Sequence, residues 1–334
     1  MKIFVCEFIT GGGLYREPLS TSLVQEGAMM RNALLSDLAE LDGIEVIITN
    51  DARLPAPVNA NQVLRISQED DVWQSWGDCI TQADALWPIA PESSGALLRL
   101  SELAISQHKV LLGSTPQAVK VASSKLATLR LLESAELSVV PTFTLAEWQP
   151  NQSDTWVAKP DDGVGCLDTG YFETPSSLMD WMQQGRQATH VIQPYVKGEA
   201  ASLSMLCEQG QAWLMSCNRQ KISLRKVSQQ SGKFGYAGSV VNGMAQYWQQ
   251  FDEIAQAVAA AMPGLAGYVG VDVLVNDQNI HVLEVNPRLT TSYVGLHRAM
   301  ACNPAKLVLD LLYNHHFKWP RTISRNLVEV LLDA

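Results

Sequence analysis

A carboxylate, an amide and a guanidinium stand at alternate positions in the apolar segment 282–288. Side chains alternate between the two faces of a strand, so Glu284, Asn286 and Arg288 are expected to share one face. The apolar segment 270–275 carries a second carboxylate, Asp272. A carboxylate within an apolar strand is costly to bury unless a partner offsets its desolvation, and Mg²⁺ prefers oxygen ligands. The pattern predicts a Mg²⁺ clamp for nucleotide phosphates; a hairpin with solvated acids is the alternative.

A second candidate site is the segment 156–166, in which a strand ends in Lys159 and a loop follows with Gly163, Val164 and Gly165. Glycines let backbone N–H groups approach phosphate oxygens, and the lysine adds positive charge at the edge of the loop. The G-x-x-x-x-G-K-[ST] phosphate loop is absent from the chain. The segment therefore predicts a different phosphate-binding loop, and an ordinary hairpin turn is the alternative.

Two further segments carry polar groups beside apolar runs. Residues 191–199 lead from an apolar strand into a connector that ends in Glu199. The connector's backbone can offer N–H and C=O groups to an adenine edge, and Glu199 can accept hydrogen bonds from ribose hydroxyls. Lys125 stands near the amino end of a predicted helix, after two serines. A solvated surface lysine is the alternative interpretation there.

Composition limits the classes of protein to consider. The chain has 334 residues, 47% hydrophobic and 17% charged, which is typical of a globular enzyme of two or three domains. Its formal net charge is −10 without a dense run of Lys and Arg, which argues against a nucleic-acid partner. No apolar stretch approaches the roughly 20 residues of a membrane helix. The six scattered cysteines form no CxxC pair, so we expect reduced thiols and a cytoplasmic location.

The chain also changes its pattern along its length. Up to about residue 115, strand and helix signals alternate, which predicts a parallel sheet covered on both faces. A helix is predicted over 118–135, after a break at 113–116. From residue 156 onward the pattern is of antiparallel strands, predicted over 156–159, 169–172, 190–194, 201–206, 212–218 and 220–227. The fold class is therefore a combination of α/β and α+β.

The order of these signals along the chain resembles the ATP-grasp ligases over residues 114–313, and the preceding α/β region is also typical of them. The order is a lysine, a strand lysine with a glycine loop, a connector with a glutamate, and then Asp and Glu-x-Asn on late strands. The resemblance implies an ATP-grasp fold with three parts. These are an N-terminal α/β pre-ATP-grasp domain (1–115), a small lid subdomain with the glycine loop (116–194) and a larger C-terminal subdomain with the metal site (195–334).

The resemblance also implies roles for individual residues. Lys125 and Lys159 would bracket the α- and β-phosphates of ATP, and the loop with Gly163, Val164 and Gly165 would cover the triphosphate. The adenine and ribose contacts would come from Gln193, the backbone of Tyr195 and Val196, and Glu199. The ligands of Mg²⁺, or alternatively Mn²⁺, would be Asp272, Glu284 and Asn286. Arg288 would neutralise the transferring phosphoryl group. We add Arg219 as a second phosphate-facing cation, with a surface salt bridge as its alternative.

A narrower resemblance rests on segments 7–13, 89–92 and 111–114, which look like those of tyramine–glutamate ligase-type proteins of methanofuran biosynthesis. It implies an ATP-dependent carboxylate–amine ligase that forms an acyl phosphate and joins L-glutamate to tyramine or tyrosine. The expected partners are small-molecule carboxylates and amines, with a homodimer as the default assembly. Two alternatives remain: an ATP-grasp kinase, and a non-catalytic ATP-binding module. Glu92 is either a helix-start charge or a grip for a substrate amine.

Overall fold

The computed structural model describes residues 1–163, 165–277 and 279–332 and contains two β-sheets. The first sheet is entirely parallel, with the strand order β3-β2-β1-β4-β5. Its strands are β1 (Lys2–Glu7), β2 (Glu45–Asp51), β3 (Gln62–Ile66), β4 (Ala85–Ile89) and β5 (Val110–Leu111). The crossover helices are α1 (Thr21–Ala39), α2 (Val72–Gln82) and α3 (Ala96–Ser106). The strand order reverses between β1 and β4, which opens a crevice at the carboxyl ends of these strands.

Two short helices follow where the sequence predicted one. They are α4 (Pro116–Ala122) and α5 (Lys125–Ser134). The helical conformation is interrupted at Ser124, whose backbone is extended. Its side chain accepts a hydrogen bond from the Ala127 N–H. Serine competes with helix continuation in this way and favours the cap position. The break therefore places Lys125 at the first position of α5.

The second sheet has antiparallel pairings between its strands and follows the order β13-β12-β9-β10-β11-β7-β6-β8, with β14 paired to β11. The strands are β6 (Trp156–Pro160), β7 (Gly170–Phe172), β8 (His190–Pro194), β9 (Glu199–Glu208), β10 (Gln211–Lys226), β11 (Ser231–Val241), β12 (Gly267–Val275), β13 (Ile280–Asn286) and β14 (Val328–Leu331). The helices are α6 (Pro175–Met182), α7 (Trp248–Ala261), α8 (Tyr293–Met300) and α9 (Pro304–Leu312). The combination of a parallel and an antiparallel sheet confirms the predicted fold class.

The structure corrects several element predictions in this half. The predicted strands 212–218 and 220–227 form one long strand, β10, with a bulge between Gln220 and Ile222. The strand β11 and the helix α8 were not predicted. The bulge explains why the sequence pattern suggested two strands, because it inserts an extra polar residue while the pairing of β10 with β11 continues on both sides.

One apolar core joins the two sheets. It includes Ile3 and Leu34 from the first sheet and its helix, together with Leu206, Tyr268 and Leu296 from the second half. The predicted domain limits at residues 115 and 194 stay predictions. None of the helices in the described part of the chain is long and apolar enough to span a membrane.

Candidate active site

A cleft of about 490 Å³ lies between the second sheet and the amino-terminal half, from which Glu26 of α1 lines it. Its walls come from β6, β8, β12, β13 and α1, so residues far apart in sequence meet there. The predicted site residues that line it are Lys125, Lys159, Gly163, Gly165, Gln193, Tyr195, Val196, Glu199, Asp272, Glu284, Asn286 and Arg288. The predicted loop residue Val164 lies outside the described residues.

Asp272 and Glu284 are cross-strand partners in the antiparallel pair of β12 and β13. Their side chains therefore lie on the same face of the sheet. Burial and the neighbouring Glu284 charge raise the pKa of Asp272 well above its usual range. Burial also opposes the ionisation of Glu284, but the charges of Lys125 and Lys159 outweigh it and lower its pKa to about 2. The pair thus combines Glu284, whose ionised form is favoured, with Asp272, whose ionised form is disfavoured by its surroundings.

Lys125 and Lys159 supply the positive charge beside this pair. The Lys125 Nζ lies 3.1 Å from Glu284 Oε2 and donates a hydrogen bond to the Gly163 carbonyl. Lys159 lies one residue before the end of β6, and desolvation in the cleft lowers its pKa to about 8, against the opposing effect of Glu284. Lys125 thereby connects the carboxylate pair directly to the glycine loop.

Arg288 is held by Glu92 from the amino-terminal half. The Arg288 Nε lies 3.0 Å from both Glu92 carboxylate oxygens, and Nη2 lies 2.9 Å from Oε2. Both side chains are buried. The Arg288 Nη1 donates to the Leu289 carbonyl at 3.1 Å. A buried bidentate pair of this kind fixes the plane of the guanidinium.

The predicted adenine connector follows β8. The Gln193 amide donates to the Thr142 hydroxyl at 2.8 Å, and the Tyr195 N–H donates to the Thr155 carbonyl at 2.9 Å. Since that N–H is already used within the protein, adenine recognition by the backbone would fall to Val196 and to the Tyr195 carbonyl. Apolar side chains of the cleft, including Val157 and Leu283, provide surfaces for a flat ring.

Arg219 forms an exposed ion pair with Glu199. Glu199 lines the cleft, whereas Arg219 is not among the described residues that do. This geometry matches the salt-bridge alternative considered for Arg219. Its role as a phosphate-facing cation stays a prediction.

Two features of the cleft were not identified from the sequence. Glu92 is bonded to Arg288, which differs from both interpretations considered for it. Glu26 on α1 lines the cleft and accepts a hydrogen bond from the Thr291 hydroxyl at 2.5 Å. Neither pairing has a local sequence signal, because the partners are separated by 196 and 265 positions respectively.

The residues present fit a hard cation and a nucleotide. Asp272, Glu284 and Asn286 offer oxygen ligands on adjacent strands, and a bound cation would offset both the burial and the neighbouring Glu284 charge that raise the pKa of Asp272. In the loop, a Cβ at Gly163 would lie 2.8 Å from the Pro160 side chain, whereas a Cβ at Gly165 would meet nothing within 4 Å. The loop therefore leaves open space beside its backbone.

Comparison with known proteins gives two matches to families. Residues 122–292 match the ATP-grasp domain, and residues 44–119 match the pre ATP-grasp 3 domain. The first match spans the glycine loop, the connector and both carboxylate strands.

Among curated proteins, the chain is similar to tyramine–L-glutamate ligases of two archaea. It is 30% identical to that of Methanocaldococcus fervens, covering 82% of this chain and 83% of the relative. It is 27% identical to that of Methanocaldococcus jannaschii, covering 89% and 86%. The fold is similar to the crystal structure of L-amino acid ligase from Bacillus licheniformis, with a TM-score of 0.68 and 16% identity over 95% of this chain and 75% of that one.

Proposed function

The chain belongs to the ATP-grasp family and is an ADP-forming ligase of C–N bonds, and we propose that it joins L-glutamate to tyramine or tyrosine through an acyl phosphate. The observation that carries this proposal is the arrangement of Asp272, Glu284, Lys125 and Lys159 around one cleft. Such a group of charges suits the positioning of phosphates, which is the main task of the protein in phosphoryl transfer.

In the first step, ATP would transfer its γ-phosphoryl group to the carboxylate of the donor. Lys125 and Lys159 would hold the phosphates, and Asp272, Glu284 and Asn286 would hold Mg²⁺. When bound, Mg²⁺ supplies neutralisation of phosphate charge and orientation of the transferring group. Arg288 lies in the same cleft with its plane fixed by Glu92, so it is suited to stabilise the charge on the acyl phosphate.

In the second step, the amine would attack the acyl carbon and inorganic phosphate would leave. The protein must keep water away from the acyl phosphate during this step. The glycine loop between β6 and β7 is the candidate cover, because Gly163 and Gly165 line the cleft and Lys125 donates a hydrogen bond to the Gly163 carbonyl. The proposal also assigns residues 116–194 the role of a lid. It further includes a cytoplasmic location, and the six free thiols support that location.

The choice of substrates is supported by the names of the two archaeal relatives and by the acidic groups of the cleft. The donor's carboxylate would face Arg288, while residues 289–296 and the carboxyl edge of the first sheet would hold the rest of the amino acid. The Glu92–Arg288 and Glu26–Thr291 pairs join the amino-terminal half to residues 288–291 beside this edge.

The direct experiment measures ADP release by the purified protein with ATP, Mg²⁺ and L-glutamate, with and without tyramine or tyrosine. We expect amine-dependent ADP release and a product with the mass of a γ-glutamyl amide. Glu284→Gln should abolish turnover, because it removes the ionised carboxylate, while the circular dichroism spectrum stays that of the wild type. ADP release with a stable phosphorylated product and no amide would favour a kinase, and full activity of Glu284→Gln would contradict the metal assignment.

A further inference from the structure

Glu26 is the acidic group of the cleft that has no function in the mechanism above. It lies on α1, half-buried, and reaches into the cleft from the amino-terminal half. The neighbouring Gly27 allows α1 to pack closely on the end of β1, because a Cβ there would lie 2.7 Å from Glu7 Oε1. The close packing places Glu26 beside the crevice between β1 and β4, where ligands of open parallel sheets bind.

The carboxylate of Glu26 is anchored by a hydrogen bond, but it forms no ion pair with the residues that the structure describes. Its Oε1 accepts a hydrogen bond from Thr291, which is buried. Among the described residues, the ion pairs of cleft-lining side chains join Lys125 to Glu284, Arg288 to Glu92 and Arg219 to Glu199, and none includes Glu26. A half-buried carboxylate without a cation favours a positively charged ligand.

The surroundings of Glu26 are suited to a small polar ligand. Thr290, Thr291, Ser292 and Tyr236, which all carry hydroxyl groups, also line the cleft. Glu26 is also close enough to Arg288 and Tyr236 for its charge to act on both side chains. A ligand beside Glu26 would thus lie near the guanidinium of Arg288, which in the proposed mechanism stabilises the transferring phosphoryl group.

We propose that Glu26 binds the ammonium group of a substrate and so makes the enzyme selective for amine-bearing molecules. The inference rests on the proposed function and deepens it by assigning a specificity residue. The ammonium group can come from two sources, the α-ammonium of the amino-acid donor or the protonated acceptor amine. Both sources share the same chemistry, a short charge-assisted hydrogen bond to a carboxylate.

The test replaces Glu26 by Gln, which keeps the size and the oxygen that accepts from Thr291 but removes the charge. We expect the KM of one ammonium-bearing substrate to rise roughly 10- to 100-fold, in line with the strength of hydrogen bonds to charged groups. The KM of ATP should stay unchanged. Glu40→Gln is the matched control, because Glu40 follows the last turn of the same helix and is exposed.

Glutarate separates the two sources, since it keeps both carboxylates of glutamate and lacks the ammonium. If Glu26 binds the donor, the wild type prefers glutamate over glutarate and Glu26→Gln loses that preference. If Glu26 binds the acceptor, the preference is equal in both proteins and the KM of tyramine rises instead.

Calorimetry with L-glutamate and with tyramine, in the presence of a non-hydrolysable ATP analogue, measures the affinity for each substrate without turnover. Weaker binding of one of them by Glu26→Gln, with an unchanged melting temperature, supports the inference. If the wild type forms the amide and Glu26→Gln has wild-type KM values and affinities for both substrates, the inference is overturned and the proposed function stands. If the wild type forms no amide, the proposed function fails; equal or absent calorimetric binding in both proteins then overturns the inference as well.

Discussion

At the scale of single residues, replacing Glu92 should show whether the orientation of Arg288 matters for turnover separately from the binding of ATP. It holds the Arg288 guanidinium through three hydrogen bonds and belongs to the other half of the molecule. In Glu92→Gln the neutral amide can accept one hydrogen bond but cannot offset the buried charge. Because small misplacements of a reacting group are costly, we expect kcat to fall roughly 100-fold while the KM of ATP changes little.

The stability of Glu92→Gln should also fall, by about 3 kcal/mol, because breaking a buried ion pair leaves one charge uncompensated. Urea unfolding measures this loss beside the steady-state kinetics. The control is Glu329→Gln, which breaks the exposed pair with Lys221 and should cost less than about 1 kcal/mol. An unchanged kcat in Glu92→Gln would mean that Arg288 needs no orientation from Glu92.

At the scale of elements, the break between α4 and α5 determines the position of Lys125, a candidate phosphate-binding residue. Ser124 caps α5, and Lys125 follows at the first position of the helix. Replacing Ser124 by Ala removes the cap and should cost about 1 kcal/mol of unfolding free energy. Because the cap lies directly before Lys125, we expect its loss to loosen the start of α5 and the contact of Lys125 with Glu284, so that the KM of ATP rises several-fold in Ser124→Ala.

Asp71→Ala offers a matched comparison for this prediction. Asp71 caps α2 by accepting from the N–H groups of Trp73 and Gln74, and it lies in the first sheet's half. Both variants should lose similar unfolding free energy, yet only Ser124→Ala should change the KM of ATP. Equal KM values in the two variants would show that the cap does not position Lys125.

Elements with strong local patterns could be predicted from the sequence, and those that depend on their neighbours could not. The strands β1 and β4 are continuous apolar runs with buried side chains, which single them out. By contrast, β11 contains Gly232, Gly235 and Gly238, residues that disfavour strands. It is a strand because β10 on one side and β7 and β14 on the other side supply hydrogen-bond partners.

The same distinction applies to the candidate site. The positions of Asp272 and Glu284 followed from strand periodicity, since each carboxylate interrupts an apolar run. The contacts of Glu26 and Glu92 could not be predicted, because each depends on how the two halves of the molecule pack. Residues 289–296, which we propose contact the donor, also depend on the packing of the two halves, and their second half begins α8.

At the scale of the whole molecule, the apolar cores predict an order of opening. The largest cluster joins both sheets, as Leu34 of α1 and Leu296 of α8 belong to it. The strands β6, β7 and β8 instead share a small separate cluster around Trp156, Phe172 and Ile192. Local opening requires less free energy where fewer apolar side chains are buried. Amide hydrogen exchange should therefore be faster in β6–β8 than in β1 or β12.

ATP should slow exchange in this small cluster more than elsewhere, because it would bridge Lys159 of β6 and the carboxylate pair of β12 and β13. A ligand that binds only the closed form lowers the population of the open form by mass action. Exchange mass spectrometry with and without Mg·ATP measures the effect, and Lys159→Met provides the control in which ATP should protect β6–β8 less. Uniform exchange across both sheets, or equal protection by ATP in all strands, would contradict a β6–β8 unit that opens separately. It would also remove the support for a glycine loop that moves together with these strands.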